Sequence, residues 1–129
     1  MKRNWVKEAL QCWLPVLSWM AAMFYFSAQP NLPSHPNPLL DVVLKKAAHL
    51  LEYGVLSWLL YRAWSVQLGK RGPSVAIIAL AWAVGYALSD EWHQGFVANR
   101  HPSLWDVAAD AVGALAALAL ASLKPKLLC

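Results

Sequence analysis

The stretch VAIIALAWAVGYALSDEWH, residues 75–93, runs without charge as far as Ser89 and then meets Asp90, Glu91 and His93 in quick succession. A bilayer core of ~30 Å asks for ~20 helical residues. The stretch therefore reaches spanning length only if its helix continues through residues 90–93, which sets those charges at the membrane boundary. Read that way, it completes a set of four apolar segments, at about residues 10–28, 47–64, 75–93 and 104–123. In lipid the backbone must satisfy its own hydrogen bonds, and helices of this length do so locally. The predicted fold is all-α: a polytopic membrane bundle of four transmembrane helices, N-in/C-in, forming a single domain over residues 1–129.

Composition points the same way. Of 129 residues, 59% are apolar and 14% charged, with eight tryptophans, too apolar a balance for a soluble domain of this size. The net charge of +4 does not make a nucleic-acid binder, because the basic residues flank apolar runs in short groups and form no stripe. Cys12 and Cys129 make neither a metal nor a redox spacing and are expected as free thiols. The first apolar segment follows Lys2, Arg3 and Lys7, yet it is longer than a signal-peptide core. A cut after Ala28 would also put the bulky Phe26 at the small-residue position. It is expected to be a retained helix, adjusted locally at Pro15.

Eight of the eleven basic residues lie before the first segment, between the second and third, or after the fourth. Lys45, Lys46 and Arg100 lie on the other side. The asymmetry favours both termini in the cytoplasm and turns the loops at residues 27–46 and 90–103 outward. Trp5, Trp64, Trp92 and Trp105 fall near the boundaries, as an interfacial belt would. Loop one carries four prolines between residues 30 and 38 and reads as extended or turn-rich.

Six of the seven acidic residues belong to the outer half, and ionisable groups beside the hydrocarbon layer are functional-site candidates. Lys45, His49, Glu52 and Tyr53 share one arc of helix two. Proton or metal handling is one reading of that arc; a polar seam in which His49 and Glu52 satisfy each other is the other. Asp90, His93 and Gln94 share a face at the end of helix three, with Glu91 one position round. His49, Glu52, Asp90 and His93 together would suit a divalent metal such as zinc, although no local metal signature is present. His–carboxylate acid/base work needs no metal. Helix four opens on Ser103-Leu104-Trp105-Asp106, a capping box that gives Asp106 a structural role beside a binding one. Asp110, one turn deeper, has no such role. It heads a small-residue stripe through Gly113, Ala117 and Ala121, expected to pack on Ala81, Gly85 and Ser89 of helix three. Arg100 is the countercharge of loop three, either in an interhelical salt bridge or as a bidentate anion ligand.

These motifs in this order resemble the VanZ-like membrane proteins: Phe26-Ser27-Ala28-Gln29-Pro30, then Lys46 to Tyr53 with its His-x-x-Glu-Tyr, then Asp90-Glu91-Trp92-His93-Gln94-Gly95-Phe96-Val97, then Arg100 to Val107. The resemblance covers about three quarters of the chain. It departs at Ala98-Asn99, where the family has Pro-Gly; asparagine tolerates the left-handed turn better than most residues. The resemblance implies a bacterial plasma-membrane protein of a family named for an association with teicoplanin resistance, and it carries no enzyme activity with it. The expectation is an outward pocket in which Lys45, Gln94, Arg100 and Asp106 bind a membrane lipid or lipid-linked envelope component. His49, Glu52, Tyr53, Asp90, Glu91, His93 and Asp110 are its candidate proton or metal handlers. The alternatives are a metal- or acid/base-dependent hydrolase or transferase on a lipid-linked substrate, a proton-coupled carrier in a homo-oligomer, and a structural protein whose polar groups lock the helices.

Overall fold

In a computed structural model, residues 4–123 are described, and they form four helices joined by loops: α1 (Trp5–Ser27), α2 (Pro38–Leu68), α3 (Pro73–Gln94) and α4 (Leu104–Leu123). Three of them, α1, α3 and α4, are long and apolar enough to cross a membrane. The α2 helix, with Lys45, Lys46, His49, Glu52 and Arg62 along it, does not qualify by that measure. Lys2, Arg3, Lys124, Lys126 and Cys129 lie outside the described residues. Cys12 is disulfide-bonded, which corrects the expectation of a free thiol.

Local chemistry sets the helix ends. Asn4 caps α1, its side chain accepting from the Lys7 amide. The largest departure from the sequence reading is the start of α2. Residues 38–46, expected as loop, are helical, because Asn37 Oδ1 accepts from the amides of Leu39 and Leu40 and Pro38 occupies the first turn, where its missing N–H costs nothing. The resulting 31 residues give a helix about 46 Å long at 1.5 Å per residue. It ends at Gly69 in the left-handed conformation (φ 63°). Only four residues separate α2 from α3, so the two run antiparallel as neighbours.

Pro15 sits inside α1 and cannot donate to the Gln11 carbonyl. That carbonyl instead accepts from Arg62 Nη2 at 3.0 Å, so a polar group of α2 repairs the gap in α1. Trp13 Nε1 donates to Gln67 nearby at 2.8 Å.

The α2 helix is the axis of the bundle. The α1, α3 and α4 helices all pack on it, α3 also meets both of its neighbours, and α1 and α4 do not touch. Tyr53, Leu56, Ser57, Leu59, Leu60 and Tyr61 of α2 are buried, so most of this half of the helix sees protein on every side. A helix so enclosed tolerates polar groups that a lipid-facing one does not.

The α2–α4 seam is the closest. A Cβ on Gly113 would come within 2.4 Å of the Leu50 carbonyl oxygen and 2.9 Å of its Cα, so the backbones meet there with no room for a side chain. Ser57 Oγ donates across the same seam to the Ala114 carbonyl at 3.1 Å. This corrects the expected α3–α4 pairing of small residues: the Gly113 stripe faces α2. On α3 the buried face is Val75, Ala79, Ala83 and Ala87, while Ala81, Gly85 and Ser89 are exposed.

Candidate functional site

The C-termini of α1 and α3 and the N-termini of α2 and α4 gather at one end of the bundle, around a cavity of about 500 Å³. Its walls include Lys45, Lys46, His49 and Glu52 from α2, Asp90 and Gln94 from α3, Arg100 and His101 from the α3–α4 loop, and Asp106 from α4. Met23, Phe26, Leu32 and Val42 add an apolar side. Residues distant in sequence meet here because each helix contributes its polar end and the axis helix carries Lys45, His49 and Glu52, an i, i+4, i+7 run of polar residues, past all of them.

Two rungs tie α2 to α4 at the cavity edge. Lys46 Nζ donates to Asp106 Oδ1 at 2.6 Å, and one turn deeper His49 Nδ1 lies 3.1 Å from Asp110 Oδ1. Asp110 is buried at 1% exposure, so its pairing with His49 meets the demand that a buried carboxylate find a partner. His49 therefore pairs with Asp110 and not with Glu52. The bond to Asp106 raises the Lys46 pKa above its ordinary 10.5. A third pair, Lys45 Nζ to Asp41 Oδ2 at 2.6 Å, lies within α2. Asp41 also accepts from the His35 amide, and its bond to Lys45 is the larger cause of a carboxyl pKa held below 3.8.

Of the two roles open to Arg100 in the sequence alone, the interhelical salt bridge is not formed among the described residues. Its Nε donates to the Gln29 carbonyl at 3.1 Å and Nη2 to the Phe26 carbonyl at 3.3 Å. It thus closes the C-terminus of α1, whose last carbonyls lack helical partners. Asn99 aims it, with φ at 61° and its amide on Asn31 Oδ1; the left-handed turn survives without the Pro-Gly. Five donors on a guanidinium exceed two carbonyl bonds, so the group lines the cavity with donors to spare.

Gln94 Nε2 donates to Ser27 Oγ at 2.9 Å and to Asp90 Oδ2 at 3.2 Å. The other Asp90 oxygen, Oδ1, is buried with no partner. Glu91 turns away from the cavity: Oε2 accepts from the Ser103 amide at 2.8 Å. The capping box is therefore split, since Asp106 serves Lys46 while α3 supplies the carboxylate that caps the start of α4. His93 does not line the cavity either; its ring packs on Phe24 at 4.5 Å between centroids. Tyr53 is buried among the helices with its hydroxyl unpartnered. With His93 on another face, His49, Glu52, Asp90 and His93 are not gathered, and among the described residues no three His, Cys, Asp or Glu side chains are placed to hold a metal ion.

Sequence reasoning missed Ser27, Asn99 and His101 in the walls, and Tyr86, whose hydroxyl donates to the Met20 carbonyl at 2.7 Å. Ser27 and His101 were within reach, since one stands in the Phe-Ser-x-Gln-Pro segment and the other beside Arg100. The chain matches a family model described as VanZ/LLP1 over residues 12–125. No curated protein and no solved structure matches it.

Proposed function

The chain belongs to the VanZ/LLP1 family, and we propose that it is a bacterial plasma-membrane protein whose cavity opens outward and holds the anionic head of a membrane lipid or lipid-linked cell-wall precursor. In this reading α2 is a fourth span from about residue 47 onward, enclosed by its three neighbours mainly from Tyr53 on, and both termini face the cytoplasm. The uneven distribution of basic residues along the sequence supports that orientation. The three apolar helices and the family membership support the membrane setting. Occupancy of an outer-leaflet precursor would connect the protein to susceptibility to glycopeptides such as teicoplanin, which act on that material.

The observation that carries the reading is Arg100: a guanidinium in a cavity wall, met among the described residues only by backbone carbonyls. A planar cation with spare donors suits a phosphate, and Lys45 and Lys46 beside it add to the field. Arg100→Gln, compared with wild type in detergent at matched expression, is expected to lower retention of phosphatidylglycerol and phosphatidic acid by roughly tenfold or more, the worth of a charged hydrogen bond. Unchanged retention of both lipids would end the proposal.

A second reading, an acid/base hydrolase or transferase, is favoured by His49. With Nδ1 engaged by Asp110, its Nε2 has no hydrogen-bond partner among the described residues, on a side chain that lines the cavity, the disposition of a general base. Turnover of a lipid-linked phosphate that His49→Gln abolishes would establish it; no turnover by purified wild type on such substrates would remove it.

A further inference from the structure

The cavity is not uniformly cationic. Among the described residues, Arg100 meets no carboxylate, while Glu52 and Asp90, which line the same cavity, make no ion pair with a cation. Asp90 is 8% exposed, and its Oδ1 has no hydrogen-bond partner although its Oδ2 is held by Gln94. A buried carboxylate oxygen left empty is costly and calls for a donor. The four other charged groups of the walls are already matched within the protein: Lys45 by Asp41, Lys46 by Asp106, and His49 by Asp110. What remains is one unmatched cation and two unmatched carboxylates facing the same space.

We infer that the cavity takes a zwitterionic head, a phosphate joined to a primary ammonium as in phosphoethanolamine, with the phosphate on Arg100 and the ammonium on Asp90 and Glu52. The inference rests on the anion-binding reading above and narrows its ligand class. An ammonium brings three N–H donors, which a metal ion does not need to supply and a quaternary ammonium lacks. The choice of ammonium over a metal follows from the donor set, since among the described residues no three metal-ligating side chains are placed together. Met23, Phe26, Leu32 and Val42 then line the side toward which the apolar part of such a molecule would leave.

The test uses the full chain, purified in detergent with equal amounts of phosphatidylethanolamine, phosphatidylglycerol and phosphatidylcholine, the retained lipid being read by native mass spectrometry. Phosphatidylethanolamine is expected to exceed the other two by about tenfold. Asp90→Asn, and independently Glu52→Gln, should bring it down to the level of phosphatidylglycerol, so a folding failure of one variant leaves the other to decide. Glycerophosphoethanolamine as competitor separates the sources: displacement supports recognition of the head alone, and retention without displacement supports recognition of the membrane lipid. Equal retention of phosphatidylethanolamine and phosphatidylglycerol by wild type would overturn the inference while leaving anion binding intact, as would a preference that survives both variants. If Arg100→Gln changes the retention of no lipid, the underlying reading fails and this one with it.

Discussion

Replacing Gly113 by alanine tests the central feature of the fold, the backbone contact between α2 and α4. The added Cβ would stand 2.4 Å from the Leu50 carbonyl oxygen, 2.9 Å from its Cα and 3.0 Å from its carbonyl carbon. All three are main-chain atoms of a helix interior, so no side chain can swing aside. Ordinary carbon–oxygen contact would require the helices to part by about 1 Å, and overpacking of this kind costs about 1–3 kcal/mol. Alanine returns up to about 1 kcal/mol through helix propensity, which leaves a net loss of about 0–2 kcal/mol if the seam opens without further damage. Further damage is expected, because the His49–Asp110 and Ser57–Ala114 bonds, both 3.1 Å, flank Gly113 on the same seam. Gly54→Ala is the internal control: its Cβ would meet the Gly113 oxygen at 3.5 Å and the Ala117 Cβ at 3.7 Å, ordinary contacts, so it should be neutral or stabilising. Thermal melts of the two variants in the same detergent should separate by several degrees, with Gly113→Ala the lower. Equal melting temperatures, or Gly54→Ala falling below Gly113→Ala, would refute the reading of the seam.

The Lys46–Asp106 rung makes the α2–α4 contact sensitive to alkali. Because the folded pKa of Lys46 is raised, its stabilisation is complete below pH 10.5 and is lost as pH rises through the raised value; melting temperatures above pH 10 should fall for wild type more than for Lys46→Met. At acid pH the Asp41–Lys45 pair acts in the opposite sense, its contribution present above pH 3.8 and lost as pH falls through the depressed value. Glu91→Ala should free the start of α4, at a cost of about 1–2 kcal/mol for a lost helix cap, and hydrogen exchange at the Ser103 amide should quicken selectively. Unchanged exchange there would show that Glu91 is not the cap.

The existence of four helices was readable from the sequence. The 104–123 segment agrees with α4 at both ends because apolar length alone sets it, and the continuation of α3 through Asp90 to Gln94 followed from the length a span requires. The early start of α2 was legible too, in an asparagine followed by proline at the first helical position, but the density of prolines around it argues for loop by composition. Short-range capping and steric rules resolve that conflict in favour of helix.

Spacing along the chain determined which side chains share a face: His49 with Glu52, Asp90 with Gln94, Asp110 with Gly113. It could not determine what each face meets, because periodicity is a property of one helix and says nothing of its rotation against another. The tertiary structure decided that Asp110 and Gly113 turn to α2 instead of α3, that Glu91 caps α4 while Asp106 serves Lys46, that His93 packs on Phe24, and that Arg100 closes α1 and is left without a carboxylate. The first of these depends on the backbone approach at Gly113, and all of them depend on how the close-packed helices are rotated against one another.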